Sequence, residues 1–228
     1  MYVVSVTIHR TRVSLLALGA AGPVLFVAAY LVNGATQPGY SSWHDTISVL
    51  ALAPRGWIQI ASFLLYGVLT LCFAEGLRRF AAIGRGGFAL LVIAASGLIV
   101  AGLFPTDPIL GFPAGEPSVV SPGGTLHNIG ALAALLGLPA AALVTVRRPL
   151  RGWAAFSVAA GVLSLVAVAL FFATVAASPD GGDSPAGLFE RLPTLVMGLW
   201  QVTFALRTLG SREVPRAERP VVPAEREV

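Results

Sequence analysis

Histidine and aspartate side chains lie beside the ends of several long apolar stretches of this sequence. Asp107 closes one stretch and His127 opens the next, while the adjacent pair His44 and Asp45 lies in an earlier connecting segment. Carboxylate and imidazole groups that meet can exchange a proton, and two histidines with a carboxylate can hold a catalytic zinc ion. No H-x-x-x-H or H-E-x-x-H spacing occurs, so the sequence does not decide whether the protein binds a metal or another cofactor. The candidate metal ligands are His44, Asp45, Asp107 and His127.

Helix capping offers a simpler role for each polar residue near a helix end. Asp107 lies between two prolines and can form an Asx turn, and Asp45 completes an S-x-x-D capping pattern. Thr125 can cap the fourth predicted helix. Glu190 suits the positive end of the last helix, paired with Arg191. Capping explains each residue alone, but their concentration on one side of the predicted structure favours a shared polar site.

The composition places the chain in a membrane. Of its 228 residues, 56% are hydrophobic and 11% are charged, whereas soluble domains are roughly a quarter charged. The mean hydropathy is +0.80. The net charge of +4 comes from arginines scattered beside apolar stretches, where they orient helices, so nucleic acid is not an expected partner. Arginine without lysine is typical of a GC-rich genome and indicates a bacterial source.

Six apolar stretches predict an all-α bundle of six transmembrane helices. Each is near the ~20 residues that cross ~30 Å of hydrocarbon. A cytoplasmic N-terminus at 1–12 precedes the transmembrane domain at 13–210, and a disordered cytoplasmic tail follows at 211–228. The predicted spans are 13–32, 57–74, 88–104, 129–146, 153–177 and 192–206.

The arginines orient this bundle. All of them except Arg55 and Arg191 fall on one side of the six spans, and positive residues concentrate on the cytoplasmic side of membrane proteins. The sequence therefore predicts a multi-pass protein of the cell membrane with both termini in the cytoplasm. Trp57 and Trp153 begin their stretches and are expected at the membrane interface.

The connecting segments differ between the two sides. On the outer side, residues 42–50 have helical apolar spacing and predict a short interfacial helix. The proline-rich segment 105–124 predicts an irregular cover over the bundle, and the segment 178–187 predicts a solvated turn. On the inner side, Glu75 precedes Arg78 and Arg79 at helical spacing and is expected to pair with them. The spans hold no other charge, which argues against an ion-coupled pump.

Five short motifs in this order resemble a known family. They are P-G-Y-S at 38–41, D-T-I-S at 45–48, G-L-F-P-T-D at 102–107, H-N at 127–128 and G-L-F-E-R at 187–191. Over about residues 10–210 the sequence is similar to the six-helix membrane family catalogued as domain of unknown function 998. The resemblance implies a bacterial or archaeal polytopic membrane protein without an assigned activity. It singles out seven positions: Asp45, Ser48, Asp107, His127, Asn128, Glu190 and Arg191.

Two functions fit this sequence, and it does not decide whether the chain is an enzyme. One is a non-catalytic membrane module that binds a lipid, a small hydrophobic molecule or an unspecified protein partner at an outward-facing polar mouth. The alternative is a membrane-embedded hydrolase, with or without a metal, that acts on lipids or lipid-linked substrates at the outer leaflet. Zinc hydrolases of the alkaline ceramidase type use similar residues, for which Ser48 and the four candidate ligands are counterparts in kind.

Overall fold

Six long α-helices and one short 3-10 helix make up the part of the chain that the structure describes. The computed structural model describes residues 2–145, 152–178 and 184–211, with side chains from residue 11 onward. No β-strand occurs within these ranges, which confirms the all-α prediction. The elements are α1 (Tyr2–Ala35), η1 (Ser48–Leu52), α2 (Gly56–Arg79), α3 (Arg85–Leu103), α4 (Pro122–Val144), α5 (Trp153–Ala177) and α6 (Ala186–Gly210).

The helices pack side by side and antiparallel, each against its neighbours in the chain, and α6 closes the bundle against α1. Small residues allow the closest approaches. A Cβ atom on Gly19 of α1 would lie 2.4 Å from the Cβ of Phe73 in α2. A Cβ atom on Gly97 of α3 would lie 2.3 Å from the carbonyl oxygen of Gly130 in α4. Glycine therefore sets the distances between these backbones, as is common between helices in membranes.

Each predicted apolar stretch coincides with one helix, although α3 ends at Leu103 and α4 at Val144, before their predicted ends, and most helices begin earlier than predicted. Helix α4 begins well before its predicted stretch, because Ser121 caps the helix and Pro122 begins it. The Ser121 hydroxyl accepts a hydrogen bond from the N–H of Gly124 at 2.9 Å, and proline suits the first helical position. Thr125 instead donates its hydroxyl to the carbonyl of Ser121, so the prediction that Thr125 caps this helix is wrong.

Five of these helices are long and apolar enough to cross a membrane, namely Thr11–Ala35 of α1 together with α2, α3, α4 and α5. Within the described ranges, α6 does not meet that criterion. It carries four residues that lower its mean hydropathy: Glu190, Arg191, Gln201 and Arg207. The protein is therefore a membrane protein with at least five helices suited to spanning a bilayer.

An aromatic core fills the end of the bundle opposite η1. Trp153 is fully buried, with its ring centroid 4.7 Å from that of Phe204 and 6.1 Å from that of Trp200. The Trp153 ring therefore faces α6 and not lipid, and its expected position at the membrane interface stays a prediction. Trp57 is 68% exposed, as expected of an interfacial residue. The predicted ion pairs of Glu75 are confirmed, at 2.7 Å to Arg78 and 2.6 Å to Arg79.

The connection between α1 and α2 is mostly irregular. The predicted helix at 42–50 is wrong, because turns occupy its first residues and the 3-10 helix begins only at Ser48. Ile47 and Leu50 are buried, so the apolar spacing at 42–50 reflects the packing of these two side chains in the protein core. Segments 146–151, 179–183 and 212–228 lie outside the described residues, and with them half of the predicted solvated turn and nearly all of the predicted disordered tail.

Candidate functional site

Ser48, His127 and Glu190 meet at one end of the bundle, although they are far apart in sequence. Ser48 begins η1, His127 lies in the second turn of α4, and Glu190 lies in the second turn of α6. All three residues are buried. We call this end, where η1 covers the N-terminal ends of α4 and α6, the η1 end.

The imidazole of His127 is oriented by the end of α3. Its Nδ1 atom lies 2.8 Å from the carbonyl oxygens of both Ala101 and Phe104. The last carbonyls of a helix have no partner within it, and carbonyl oxygens only accept hydrogen bonds, so Nδ1 must carry the proton. A neutral imidazole with that tautomer has an acceptor at Nε2. Nε2 lies 3.0 Å from the Ser48 hydroxyl.

Glu190 lies on the other side of the Ser48 hydroxyl. Its Oε1 atom is 3.3 Å from the Ser48 Oγ atom, and its other oxygen accepts a hydrogen bond from the N–H of Ile47. A serine hydroxyl has one proton, so Ser48 donates to either His127 or Glu190 at any moment. The hydroxyl therefore lies between an imidazole and a carboxylate.

Arg191 ties the first connecting segment to α6. Its guanidinium donates to the carbonyl oxygens of Asp45 at 2.9 Å and Gly187 at 2.7 Å, and to the hydroxyl of Tyr40. It also lies 5.6 Å from the ring centroids of both Tyr30 and Tyr40. Burial raises the pKa of the Tyr40 hydroxyl, so this group remains protonated. Arg191 makes no ion pair with Glu190 among the described contacts, so the expected pairing of these neighbours is wrong.

The same segment also supplies acceptors to the start of α6. The N–H of Gly187 donates to the carbonyl of His44 at 3.2 Å, and that of Leu188 donates to the carbonyl of Trp43 at 3.1 Å. A Cβ atom on Gly187 would lie 2.4 Å from the carbonyl oxygen of Asp45. The segment before η1 therefore packs directly on α6, and this contact requires glycine.

Asp107 and the His44–Asp45 pair lie in two further groups near this end. The Asp107 carboxylate accepts hydrogen bonds from Ser121, at 2.6 Å from the hydroxyl and 2.8 Å from the N–H. These hydrogen bonds lower the pKa of the Asp107 carboxyl. Asp45 accepts from the N–H of Ser41 and from His44, both at 2.7 Å. Asp107 and His127 share no direct hydrogen bond, although they lie close enough for an electrostatic interaction.

The candidate metal ligands therefore lie in separate hydrogen-bonded groups. Both ring nitrogens of His127 are engaged by Ala101, Phe104 and Ser48. Across the described residues, no three His, Cys, Asp or Glu side chains are grouped as ligands for one ion. Asn128 lies beside His127 on α4 and lines a cavity rather than this network.

Two cavities flank the Ser48 and Glu190 side chains. The larger, about 230 Å³, lies between α4 and α5. Its polar end includes Thr46, Ser48, Thr106, His127, Asn128 and Glu190, and its apolar wall includes Ala131, Leu132, Leu135, Phe171, Phe172 and Val175. The smaller, about 60 Å³, lies deeper in the bundle and is also lined by Ser48, Glu190 and Ala131.

Some residues at the η1 end were not singled out from the sequence. Tyr40 belongs to the P-G-Y-S motif, but nothing in its local sequence indicates a contact with Arg191. Ser121 could have been found, because serine followed by proline is a typical start of a helix. Thr46 and Thr106 belong to the D-T-I-S and G-L-F-P-T-D motifs, but nothing in their local sequence indicates that they line a cavity.

Comparison with known proteins gives one family. The family described as "Protein of unknown function (DUF998)" matches residues 20–207. This range contains every side chain of the Ser48, His127 and Glu190 group and the Arg191 contacts. No curated protein and no solved structure matches the chain.

Proposed function

The chain belongs to the DUF998 family, and we propose that it binds one amphipathic molecule in the larger cavity at the η1 end. The polar end of the molecule lies among Ser48, His127 and Asn128, and its apolar part lies between α4 and α5. The observation that carries this proposal is the division of one 230 Å³ cavity into a polar end and an apolar wall. Binding cavities for small molecules combine a mostly apolar lining with a few polar groups in this way.

The dimensions of the cavity suit a single chain. His127 and Leu135 both line it and are eight residues apart on α4, which corresponds to roughly 12 Å at ~1.5 Å per residue. Phe172 of α5 is 46% exposed on the outside of the bundle while also lining the cavity. The apolar wall therefore continues to the lipid-facing surface, and a lipid-derived molecule can enter sideways between α4 and α5.

We propose six spans, with the η1 end facing outward in the cell membrane and both termini in the cytoplasm. The distribution of arginines supports this orientation. The faces of α6 support a sixth span, because Glu190, Arg191 and Gln201 are buried while Leu195, Leu199 and Leu206 are exposed. The hypothesis of a metal-dependent hydrolase gains no comparable support, because the candidate ligands occupy separate hydrogen-bonded groups.

Photolabelling with a fatty alcohol that carries a diazirine tests the binding proposal. The probe has one hydroxyl and one chain, and it cannot be hydrolysed. We expect it to crosslink to peptides of α4 and α5 in the purified, detergent-solubilised protein. Ala131→Phe fills a position that lines both cavities and should abolish that crosslinking.

Leu136→Phe is the matched control. Leu136 is on the same helix and is 42% exposed, so the added volume points away from the cavity and crosslinking should persist. Equal crosslinking of α4 and α5 in the wild-type protein and Ala131→Phe would refute binding in this cavity. Loss of crosslinking in both variants would refute it as well, because the effect would not be specific to the cavity.

A further inference from the structure

We propose that Ser48 is an acyl-transfer nucleophile with His127 as its general base, and that the substrate is a carboxylic ester of a lipid-like amphiphile. The geometry that carries this proposal is the 3.0 Å separation of the Ser48 Oγ and His127 Nε2 atoms at the polar end of the larger cavity. The proposal rests on the binding function proposed above, because that cavity is where the substrate lies.

His127 meets the requirements of a base. A nucleophile and its base lie within about 2.6–3.2 Å of each other, and a third group orients the base. Here the carbonyls of Ala101 and Phe104 orient the imidazole, each at 2.8 Å from Nδ1. Because Nδ1 donates to these oxygens, the lone pair of Nε2 points to the Ser48 hydroxyl.

Glu190 is the competing base, since its Oε1 atom lies 3.3 Å from the same hydroxyl. The geometry favours His127, whose Nε2 is closer at 3.0 Å. Glu190 also accepts the N–H of Ile47, an interaction that an amide oxygen can replace. Glu190→Gln therefore separates the two assignments, because a glutamine can keep the contact with Ile47 but cannot accept the serine proton.

The reaction requires only the ester and water. Ser48 Oγ attacks the ester carbonyl carbon while its proton passes to His127 Nε2, and the ester C–O bond then breaks. The alcohol leaves with the proton from His127 and the acyl group remains on Ser48. A water molecule then attacks the acyl ester and gives one proton to His127. His127 passes that proton to the Ser48 oxygen as the carboxylic acid leaves.

Groups around the hydroxyl suit both halves of this reaction. Asn128 lines the same cavity, and its amide can donate to the oxygen that becomes negative during attack. The deeper cavity of about 60 Å³ adjoins Ser48 and is large enough for about two waters at ~30 Å³ each. Substrate and hydrolytic water therefore have separate spaces on the two sides of Ser48.

An alkyl fluorophosphonate tests this proposal, because it phosphonylates activated serines and releases fluoride. We expect the wild-type protein in detergent to gain one adduct, and peptide mass spectrometry to place it on Ser48. Ser48→Ala should give no adduct. His127→Gln should slow labelling at least about 100-fold, the usual lower range for loss of a general base. Glu190→Gln should slow labelling far less than His127→Gln does.

Ser164→Ala is the matched control, because Ser164 is also fully buried but lies on α5 and lines neither cavity. The adduct is mapped in the wild-type protein, so this result does not require any variant to fold. An adduct on another residue, or loss of labelling in Glu190→Gln with retention in His127→Gln, would overturn the assignment. An unlabelled wild-type protein that still crosslinks the diazirine alcohol in its cavity would overturn the nucleophile but leave the binding function standing.

Discussion

Replacing Arg191 by alanine should destabilise the protein more than replacing any exposed arginine. The Arg191 side chain is 6% exposed. It donates to the carbonyl oxygens of Asp45 and Gly187 and to the Tyr40 hydroxyl. Alanine would remove the side-chain donor that, together with the N–H groups of Gly187 and Leu188, joins the segment before η1 to α6. Since that segment carries Ser48 into the site, the change should loosen the η1 end.

The magnitude follows from the contacts. Gly187 is four residues before Arg191 in α6, so its carbonyl keeps a helical hydrogen bond after the substitution. The other two hydrogen bonds of the guanidinium, to Asp45 and Tyr40, are lost. Hydrogen bonds to charged groups contribute about 1.5–3 kcal/mol each. For two of them we therefore expect a loss of about 3–6 kcal/mol. At ~2–4 °C per kcal/mol for a chain of this size, the melting temperature should fall by roughly 6–24 °C.

Thermal unfolding in detergent, followed by tryptophan fluorescence, measures this loss. Arg55→Ala is the control, because Arg55 donates to Thr36 at 2.7 and 2.8 Å but is exposed, and exposed contacts are worth at most about 1 kcal/mol. Combining Arg191→Ala with Tyr40→Phe completes a double-mutant cycle, with an expected coupling of about 1–3 kcal/mol. Strict additivity, or equal losses in Arg191→Ala and Arg55→Ala, would refute the reasoning.

Three further predictions concern other parts of the structure. Gly187→Ala should lower the melting temperature, because its Cβ would lie 2.4 Å from a backbone carbonyl of the first connecting segment. Gly86→Ala should leave the melting temperature unchanged, because no atom lies within 4 Å of its Cβ. Equal effects of the two substitutions would contradict the packing of this segment on α6. Hydrogen bonds from the cap of α4 lower the pKa of Asp107, so its contribution to stability is complete above the unfolded value of about 3.9 and is lost as the pH falls through the lowered value. Asp107→Asn should therefore flatten the acid side of a profile of melting temperature against pH, and an unchanged profile would contradict this. Cysteine labelling should place residues near Arg79 in the cytoplasm and residues near Pro113 outside, and the reverse pattern would refute the proposed orientation.

The sequence predicts the helices well because their signal is local. Twenty apolar residues in a row must satisfy their backbone hydrogen bonds internally when they lie in lipid, and no distant residue changes that requirement. The α5 helix accordingly has its predicted bounds of 153–177. Local sequence does not show tertiary packing, as at Trp153, whose position at the start of a stretch does not reveal that its ring is buried against α6.

The candidate site could be predicted only in part, because its contacts connect distant elements. Ser48 meets His127 across 79 positions and Glu190 across 142 positions. Sequence reasoning placed all three residues near one side of the bundle, since each lies close to a helix end. It could not show that His127 contacts Ser48 rather than Asp107. That choice depends on how η1 packs on the bundle, whereas the apolar spacing at 42–50 predicts an interfacial helix.

The low hydropathy of α6 and the polar site have the same origin. An average over the helix combines Glu190, Arg191 and Gln201 with the leucines around them, so α6 resembles a poor membrane span. Gln201 donates to the carbonyl of Gly19 at 2.9 Å and accepts from the Tyr66 hydroxyl at 3.3 Å, which satisfies its polar atoms inside the bundle. Polar residues on the inner face do not contact lipid, so their cost is met by partners on α1, α2 and the segment before η1. In the six-span arrangement proposed above, α6 is too polar on average and still presents an apolar surface to the bilayer, and the same helix supplies the Glu190 carboxyl and the Arg191 guanidinium of the site.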